Sequence, residues 1–217
     1  MGDVAEVAQM RAALSRVRRA TGLPVALGGP RPDGGRTLRI AELSGAATGA
    51  LHGLVVAAGS GLGGKSMALS RPCAVTDYRS SRHITHEYDR AVATEGLRSV
   101  LAVPVVVRRK VRGVLYAAPR EALPLGDRVL STAMAAARDV QQSLVVRDEV
   151  RRLLVAARGP AAGPGACKLV RGVHSELRAL APRVTDPAPR EELVSVCGRP
   201  AAAAGEGPVR GRAHRGR

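Results

Sequence analysis

Near the start of the chain, Val7, Met10, Leu14 and Val17 fall three or four residues apart, which gives a helix one apolar face. Asp3 with Glu6 forms a capping-box pattern that opens this helix, and Gly22 ends it. The period then shortens to two. Leu23–Leu27 and Thr37–Leu43 read as strands joined by a turn-rich Gly-Gly-Pro-Arg-Pro-Asp-Gly-Gly-Arg segment. Gly49–Ala58 reads as a short helix, Cys73–Asp77 as a short strand, and His86–Thr94 as a helix stopped by Gly96. Ser99–Val107 and Val111–Ala117 are β-rich runs around a basic turn, the pattern of a β-hairpin. Alternation in the first run sets Ser99, Leu101 and Val103 on one face and Val100, Ala102 and Pro104 on the other. Together these runs predict an antiparallel sheet of about five or six strands.

Asp127, after Gly126, is placed to cap a long helix with an apolar seam of Leu130, Ala133, Ala137, Val140 and Leu144. Beyond Leu144 the seam shifts to Val146, Val150 and Leu153, and the helix is expected to reach about Ala157. On a monomer those three side chains would sit in water, so a homodimer through this helix and the N-terminal one is expected. Residues 158–168 contain the breaker-rich Gly159–Ala166 and read as a linker. Residues 169–197 read as a short helical extension, Leu169–Ala181 and Glu191–Cys197 interrupted by Pro182–Pro189. Residues 198–217 have no period and read as a disordered basic tail.

An apolar content of 45% in 217 residues supports a core. The net charge of +16 comes mostly from arginine in an Ala-, Gly- and Val-rich chain, so biased composition on a solvated surface accounts for it; a DNA-binding surface is the alternative. With no Phe or Trp, the chain lacks the usual platforms for stacking single-stranded bases. Arg108–Arg112 is the densest basic cluster, either a solvated edge guard or a contact for nucleic acid or an acidic partner. Only weak, sequence-independent DNA affinity is expected of it. No apolar run is long enough to cross a bilayer and no signal-peptide core is visible, which predicts a cytoplasmic protein without a membrane partner. Cys73, Cys167 and Cys197 lack metal spacing and are expected to be reduced.

Gly-Ser-Gly-Leu-Gly-Gly-Lys, residues 59–65, invites a phosphate-loop reading but misses both the P-loop and the dinucleotide spacing. The structural reading gives Gly63 and Gly64 positive φ at the turn into a helix over Lys65–Leu69. Cys73 follows Arg71, which would favour a thiolate and redox chemistry; a buried inert thiol is the other reading. His86 and Asp89 share a helical face and could bind a metal, yet no further ligand completes a shell, and Thr85 is positioned as that helix's N-cap. Asp77 and Glu95 can pose as acid and base, but no recognisable spacing pairs them, so no catalysis is expected.

The blocks Gly61–Gly64, Pro72–Tyr78, Thr85–Asp89 and Glu95–Tyr116, in their loop, strand, helix and hairpin order, resemble the GAF family over residues 5–155. More narrowly they are similar to the GAF input domains of bacterial LuxR-like and PucR-like transcription regulators. The resemblance implies an α+β GAF-like sensor domain over residues 1–157, its central antiparallel sheet flanked by helices. It implies a cavity bordered by the glycine loop and lined from Cys73, Asp77, Tyr78, His86, Tyr88, Arg98, Ser99 and Ala102. The attachment patterns for haem or bilin and the Asn-, Lys- and Phe-containing cyclic-nucleotide signature are absent, so no cofactor is expected. Similar proteins continue into a helix-turn-helix, for which residues 158–217 are too short. A free-standing sensor, a lost output domain or a frameshifted tail are the expectations. The reading is a non-catalytic, dimeric small-molecule sensor acting on an output partner, with a DNA-binding protein or a Cys73 redox protein as alternatives.

Overall fold

The period-two runs build one five-stranded antiparallel sheet in a computed structural model that describes residues 2–32 and 35–157. Helix α1 spans Gly2–Thr21, followed by strands β1 (Val25–Pro30), β2 (Thr37–Arg39), β3 (Glu42–Ser44) and β4 (Val55–Ala57). Then come α2 (Gly61–Leu69), β5 (Cys73–Val75), α3 (Asp89–Thr94), β6 (Val100–Val107), β7 (Lys110–Ala118) and α4 (Asp127–Ala157). The sheet order is β3-β1-β7-β6-β5, and β2 with β4 forms a separate ribbon. The chain divides into two compact units, Met1–Glu149 and Val150–Arg217; of the second, the described part is the end of α4. The expected linker, helical extension and tail lie outside the described residues, as do Cys167 and Cys197.

Alternation sorts β6 onto two faces as predicted. Leu101, Val103, Val105 and Val107 pack with Met10, Ala13, Leu14 and Val17 of α1 and with Ala133, Ala137, Val140 and Leu144 of α4. Val100 and Ala102 join the opposite core with residues of α2, α3 and the β2-β4 ribbon. The sheet is therefore the middle layer, with α1 and α4 on one face and the glycine-rich segment on the other.

Several elements depart from the pattern. Helix α1 already runs at Gly2, so Asp3 is inside it rather than at its cap, while Gly22 closes it with φ +70° and an N–H bond to the Arg18 carbonyl. Strand β1 runs on through Gly28, Gly29 and Pro30, residues that read as a turn, because the neighbouring backbones come too close for side chains. A Cβ on Gly28 would stand 2.6 Å from the Val114 carbonyl oxygen, and one on Gly29 would collide with the Arg39 carbonyl. Thr37–Leu43 is not one strand but splits between ribbon and sheet at β2 and β3. Gly49–Ala58 is turn and strand rather than helix, since Gly53 takes φ +76° and β4 pairs with β2. Helix α3 starts at Asp89, three residues later than expected. Asp127 is the first helical residue of α4 rather than its cap, where its charge suits the helix N-terminus.

The hairpin turns on Arg108 and Arg109, both with positive φ, as a two-residue turn demands. Its strands lie inside the sheet, whose edges are β3 and β5, so the basic turn guards no edge. Pairing jumps from Val105↔Gly113 to Val106↔Val111, which leaves Arg112 as the extra residue of a β-bulge. Its guanidinium bonds Glu6 of α1 at 2.9 Å and Asp148 of α4 at 3.0 Å, with its side chain only 13% exposed. Arg108 lies 3.5 Å from Glu149. Two of the four basic side chains of this cluster, Arg108 and Arg112, are thus paired with acids of the two flanking helices.

Candidate functional site

The face of the sheet opposite α1 and α4 holds a partly open cavity of about 40 Å³. Leu27, Val100 and Tyr116 of the sheet form its floor, Leu62 and Gly63 of α2 one wall, and Val92, Leu97 and ribbon residues the others. The chain contains three tyrosines and no Phe or Trp, and Tyr78, Tyr88 and Tyr116 all line this cavity.

The glycine segment explains how three rings fit. Gly59 and Gly61 carry the positive φ values, +94° and +59°, whereas Gly63 and Gly64 are helical, which corrects the expected assignment. A Cβ on Gly61 would stand 2.7 Å from the Tyr88 ring and 3.1 Å from the Tyr78 hydroxyl oxygen. A Cβ on Gly63 would collide with the Tyr116 hydroxyl, and one on Gly64 with the Ala57 carbonyl. The glycines are seats for rings and backbone, and the helix starts at Gly61 rather than Lys65.

A loop over residues 76–88, which carries Tyr78 and Tyr88, is tied to β4 and α2 through polar contacts. The Ala57 N–H donates to the Tyr88 hydroxyl at 3.0 Å, and the Gly61 N–H donates to Thr85 Oγ1 at 2.7 Å. Thr85 therefore caps the start of α2, not α3, and also donates to Glu87. Lys65 Nζ donates to the His83 carbonyl at 2.7 Å. His86 bridges Asp89, 2.9 Å from Nδ1, and the Ser81 carbonyl, 2.9 Å from Nε2. Both partners hold its pKa above the ordinary value, Asp89 most strongly. Its ring meets Tyr78 edge-on, with centroids 6.3 Å apart. No group of three metal-ligating side chains occurs among the described residues.

Of the eight residues named from the sequence, Tyr78 and Tyr88 line the cavity. His86 sits behind Tyr78. Asp77 and Arg98 form a bidentate pair at 3.0 and 2.8 Å outside it, and the Arg98 guanidinium holds the Asp77 carboxyl down to about 2. Ser99 is fully buried elsewhere: its hydroxyl meets the Thr76, Glu121 and Leu123 carbonyls and the Leu123 N–H. Ala102 is buried in register with Tyr116 and Cys73, beneath Ser66, and Cys73 is half-buried with its thiol directed at the Arg71 carbonyl. Glu95 is a structural anchor. Burial pushes its carboxyl up, but the Thr48 hydroxyl, the Ala47 and Thr48 N–H groups and Arg120 outweigh that and hold it below the usual range.

Tyr116 is the residue that sequence reasoning missed. Its phenol is buried, 6% exposed for the residue, and among the described residues no group bonds its oxygen. Burial pushes its pKa up, and it pushes that of Tyr78 up to about 12. The signal was present in composition: a chain with three aromatic side chains had put one in a central strand, on the face of Ala102 rather than Leu101.

The HTH-type transcriptional activator RamA of Corynebacterium glutamicum is 39% identical over 199 residues, covering 87% of this chain and 69% of that protein. Among solved structures, the GAF domain of a phosphoenolpyruvate-protein phosphotransferase from Coxiella burnetii superposes with a TM-score of 0.56 at 14% identity. That superposition covers 66% of this chain and 84% of that one. The free methionine-R-sulfoxide reductase of Neisseria meningitidis superposes with a TM-score of 0.51 at 17% identity, covering 63% and 76%. At such identities the likeness is one of fold, and this fold carries an enzyme in one case and a GAF module in another. The sequence profile of the GAF domain matches residues 3–144, and with the α+β architecture, the five-stranded antiparallel sheet and the activator as a relative, the chain belongs to the GAF domain family.

Proposed function

We propose that this chain is the non-catalytic small-molecule-sensing module of a transcription regulator, with the tyrosine-walled cavity as its sensing site. One observation carries the reading: every aromatic ring of the chain except its histidines converges on one apolar cavity. An apolar enclosure with a few placed polar groups is the general form of a small-ligand site. The relative's role as a transcriptional activator supplies the class of output. The acid–base candidates are occupied elsewhere, Asp77 by Arg98, Glu95 by Arg120 and His86 by Asp89, which favours sensing over catalysis.

Signal would leave by population shift between two packings of the terminal helices. Strand β7 faces the cavity with Tyr116 and, across its bulge, holds Glu6 of α1 and Asp148 of α4 with Arg112. Displacement of Tyr116 by a ligand would bias that three-way contact. A homodimer belongs to the same reading, but the expected seam needs revision. The α1 stripe and the Ala133–Leu144 seam are used inside the chain, Val146 and Val150 are half-buried, and Leu153 is buried. Met134, 36% exposed, and Val155, 66% exposed, are the large apolar side chains that α4 still offers among the described residues. With Arg108 and Arg112 paired, direct DNA binding would be weak and would fade with salt. No helix among the described residues is long and apolar enough to cross a membrane.

Native mass spectrometry of the chain purified from its own host tests this. The wild type is expected to carry a non-covalent adduct. A Leu54→Phe variant, which fills the cavity from a partly buried wall position, is expected to lose it and to alter reporter transcription in that host. A bare wild type together with a transcriptionally silent Leu54→Phe would defeat the sensing reading.

A further inference from the structure

The three tyrosines are not equivalent. The Tyr88 hydroxyl accepts the Ala57 N–H at 3.0 Å, and the Tyr78 hydroxyl lies against the Gly61 backbone, where a Cβ would stand 3.1 Å from its oxygen. The Tyr116 ring lines the cavity, and its hydroxyl, buried against Gly63, has no partner among the described residues. A buried O–H without an acceptor is costly, and a ligand that supplies one recovers that cost on binding. We propose that the cavity takes a small neutral molecule: a short apolar body bearing one hydrogen-bond acceptor, a carbonyl or ether oxygen, that receives the Tyr116 O–H. This rests on the sensing reading above and narrows it to a ligand class.

Charge excludes the larger alternatives. All lining residues are aliphatic, glycine or tyrosine, so neither a carboxylate nor an ammonium would find a counter-charge for its lost hydration. Burial keeps the phenol protonated, so it enters the contact as a donor. Size agrees with charge. A water needs about 10–15 Å³ of such space, so a cavity of about 40 Å³ holds about three water-sized units, matching a ligand of roughly three to five non-hydrogen atoms. A nucleotide, a sugar phosphate or a haem exceeds that. The Gly63 seat fixes the polar end: any side chain there would displace the hydroxyl.

The tyrosine content supplies the assay. With three tyrosines, all at the cavity, ring ¹³C labelling of the full 217-residue chain makes every labelled signal a report on this site. The probes are butanone, propionate and butan-2-amine, similar in size and respectively neutral, anionic and cationic at neutral pH. Butanone is expected to shift the Tyr116 ring signals at millimolar concentration. Its affinity is expected to fall at least tenfold in Tyr116→Phe, while the two ions leave the rings unmoved. Tyr116→Phe should keep the wild-type circular dichroism; Leu54→Phe serves as a second variant that blocks the space without touching the hydroxyl. Equal or tighter binding of propionate or the amine would overturn the ligand class while leaving the sensing reading intact. So would a charged or larger adduct on the host-purified chain. Butanone binding Tyr116→Phe as tightly as wild type would show that the hydroxyl is not the polar handle. No ring shift with any probe would overturn the class, and it would reach the sensing reading only if the host-purified chain were also bare.

Discussion

The two faces of the sheet are made from alternate residues of the same strands, yet they are packed by different rules. On the α1–α4 face, aliphatic side chains and alanines interdigitate: Ala13, Leu14, Val17, Ala26, Leu101 and Leu115 are each at most 2% exposed. Ion pairs tie its margin, Arg11 to Glu42 at 2.7 Å and Arg112 to Glu6 and Asp148. On the other face, three bulky rings are seated on a glycine-rich helix start and border free space. One face is closed over by aliphatic side chains with almost no exposed surface, as a joint between elements must be. The other keeps space that ordinary aliphatic packing would have closed. The same chain thus separates a rigid mechanical face from a receptive one, joined by β6 and β7.

Equal truncations on the two faces should give the largest contrast. Leu14, 1% exposed within the filled face, should cost about 4 kcal/mol on Leu14→Ala. Leu62 borders the cavity and has fewer neighbours to lose, so Leu62→Ala should cost about 2 kcal/mol. Urea unfolding of both variants measures the difference; equal losses would mean that the faces are packed alike.

Arg112→Met comes next. It leaves Glu6 and Asp148 facing each other without the guanidinium between them, in a contact that is mostly but not fully buried. A loss of about 2 kcal/mol is expected, below the range for a fully buried pair. The further variant Glu6→Gln with Asp148→Asn should recover part of it, because the orphaned charges are then gone. An additive triple variant would show the three residues to be energetically independent.

The contrast between faces was partly legible in the sequence. Alternation over Val100–Val107 sorted the two cores, and the helical stripes of α1 and α4 marked which face the helices cover. The same alternation put Ser99 with Leu101 and away from Ala102, so those two residues could not share one cavity. The glycine segment was harder. Its glycines look like a local device for a phosphate or a turn, but Gly63 answers to Tyr116, far along the chain in β7. No local pattern encodes a demand that arises only when the strand and the helix meet. Gly28 and Gly29 were misread for the same reason: the backbone that excludes their side chains belongs to β7 and β2. Tyr78 and Tyr88 came from the family resemblance, and Tyr116 was available from the scarcity of aromatic residues alone.

Acid should loosen the 76–88 loop at Asp77 before it loosens either core. The Arg98 hydrogen bond holds Asp77 down to about 2, below its ordinary value of 3.8. A depressed carboxylate contributes stability that is present above the unfolded value and is lost as pH falls through the folded one. The Asp77–Arg98 contribution should therefore persist at pH 5 and fade from about pH 4 down through 2. Asp77→Asn should flatten that part of the stability–pH curve and leave the neutral region nearly unchanged in shape. An unchanged acid limb would mean that this partly exposed pair is not coupled to folding.

The smallest effect is expected at a buried polar atom of the receptive face that lacks a partner among the described residues. Tyr116 is 6% exposed, and its hydroxyl makes no bond among the described residues. In a filled core, Tyr→Phe normally removes a hydrogen bond and costs about 1 kcal/mol. Here there is no protein bond to remove, and the desolvated oxygen is itself a liability. Tyr116→Phe should therefore lie within about 1 kcal/mol of wild type, on the neutral or stabilising side. The ring must stay, because it is the cavity floor: Tyr116→Ala should cost about 3 kcal/mol or more. Urea unfolding of the pair decides the matter. A loss above about 1 kcal/mol for Tyr116→Phe alone would mean that the hydroxyl is already satisfied inside the folded chain, and the face with free space would then be as self-sufficient as the face without it.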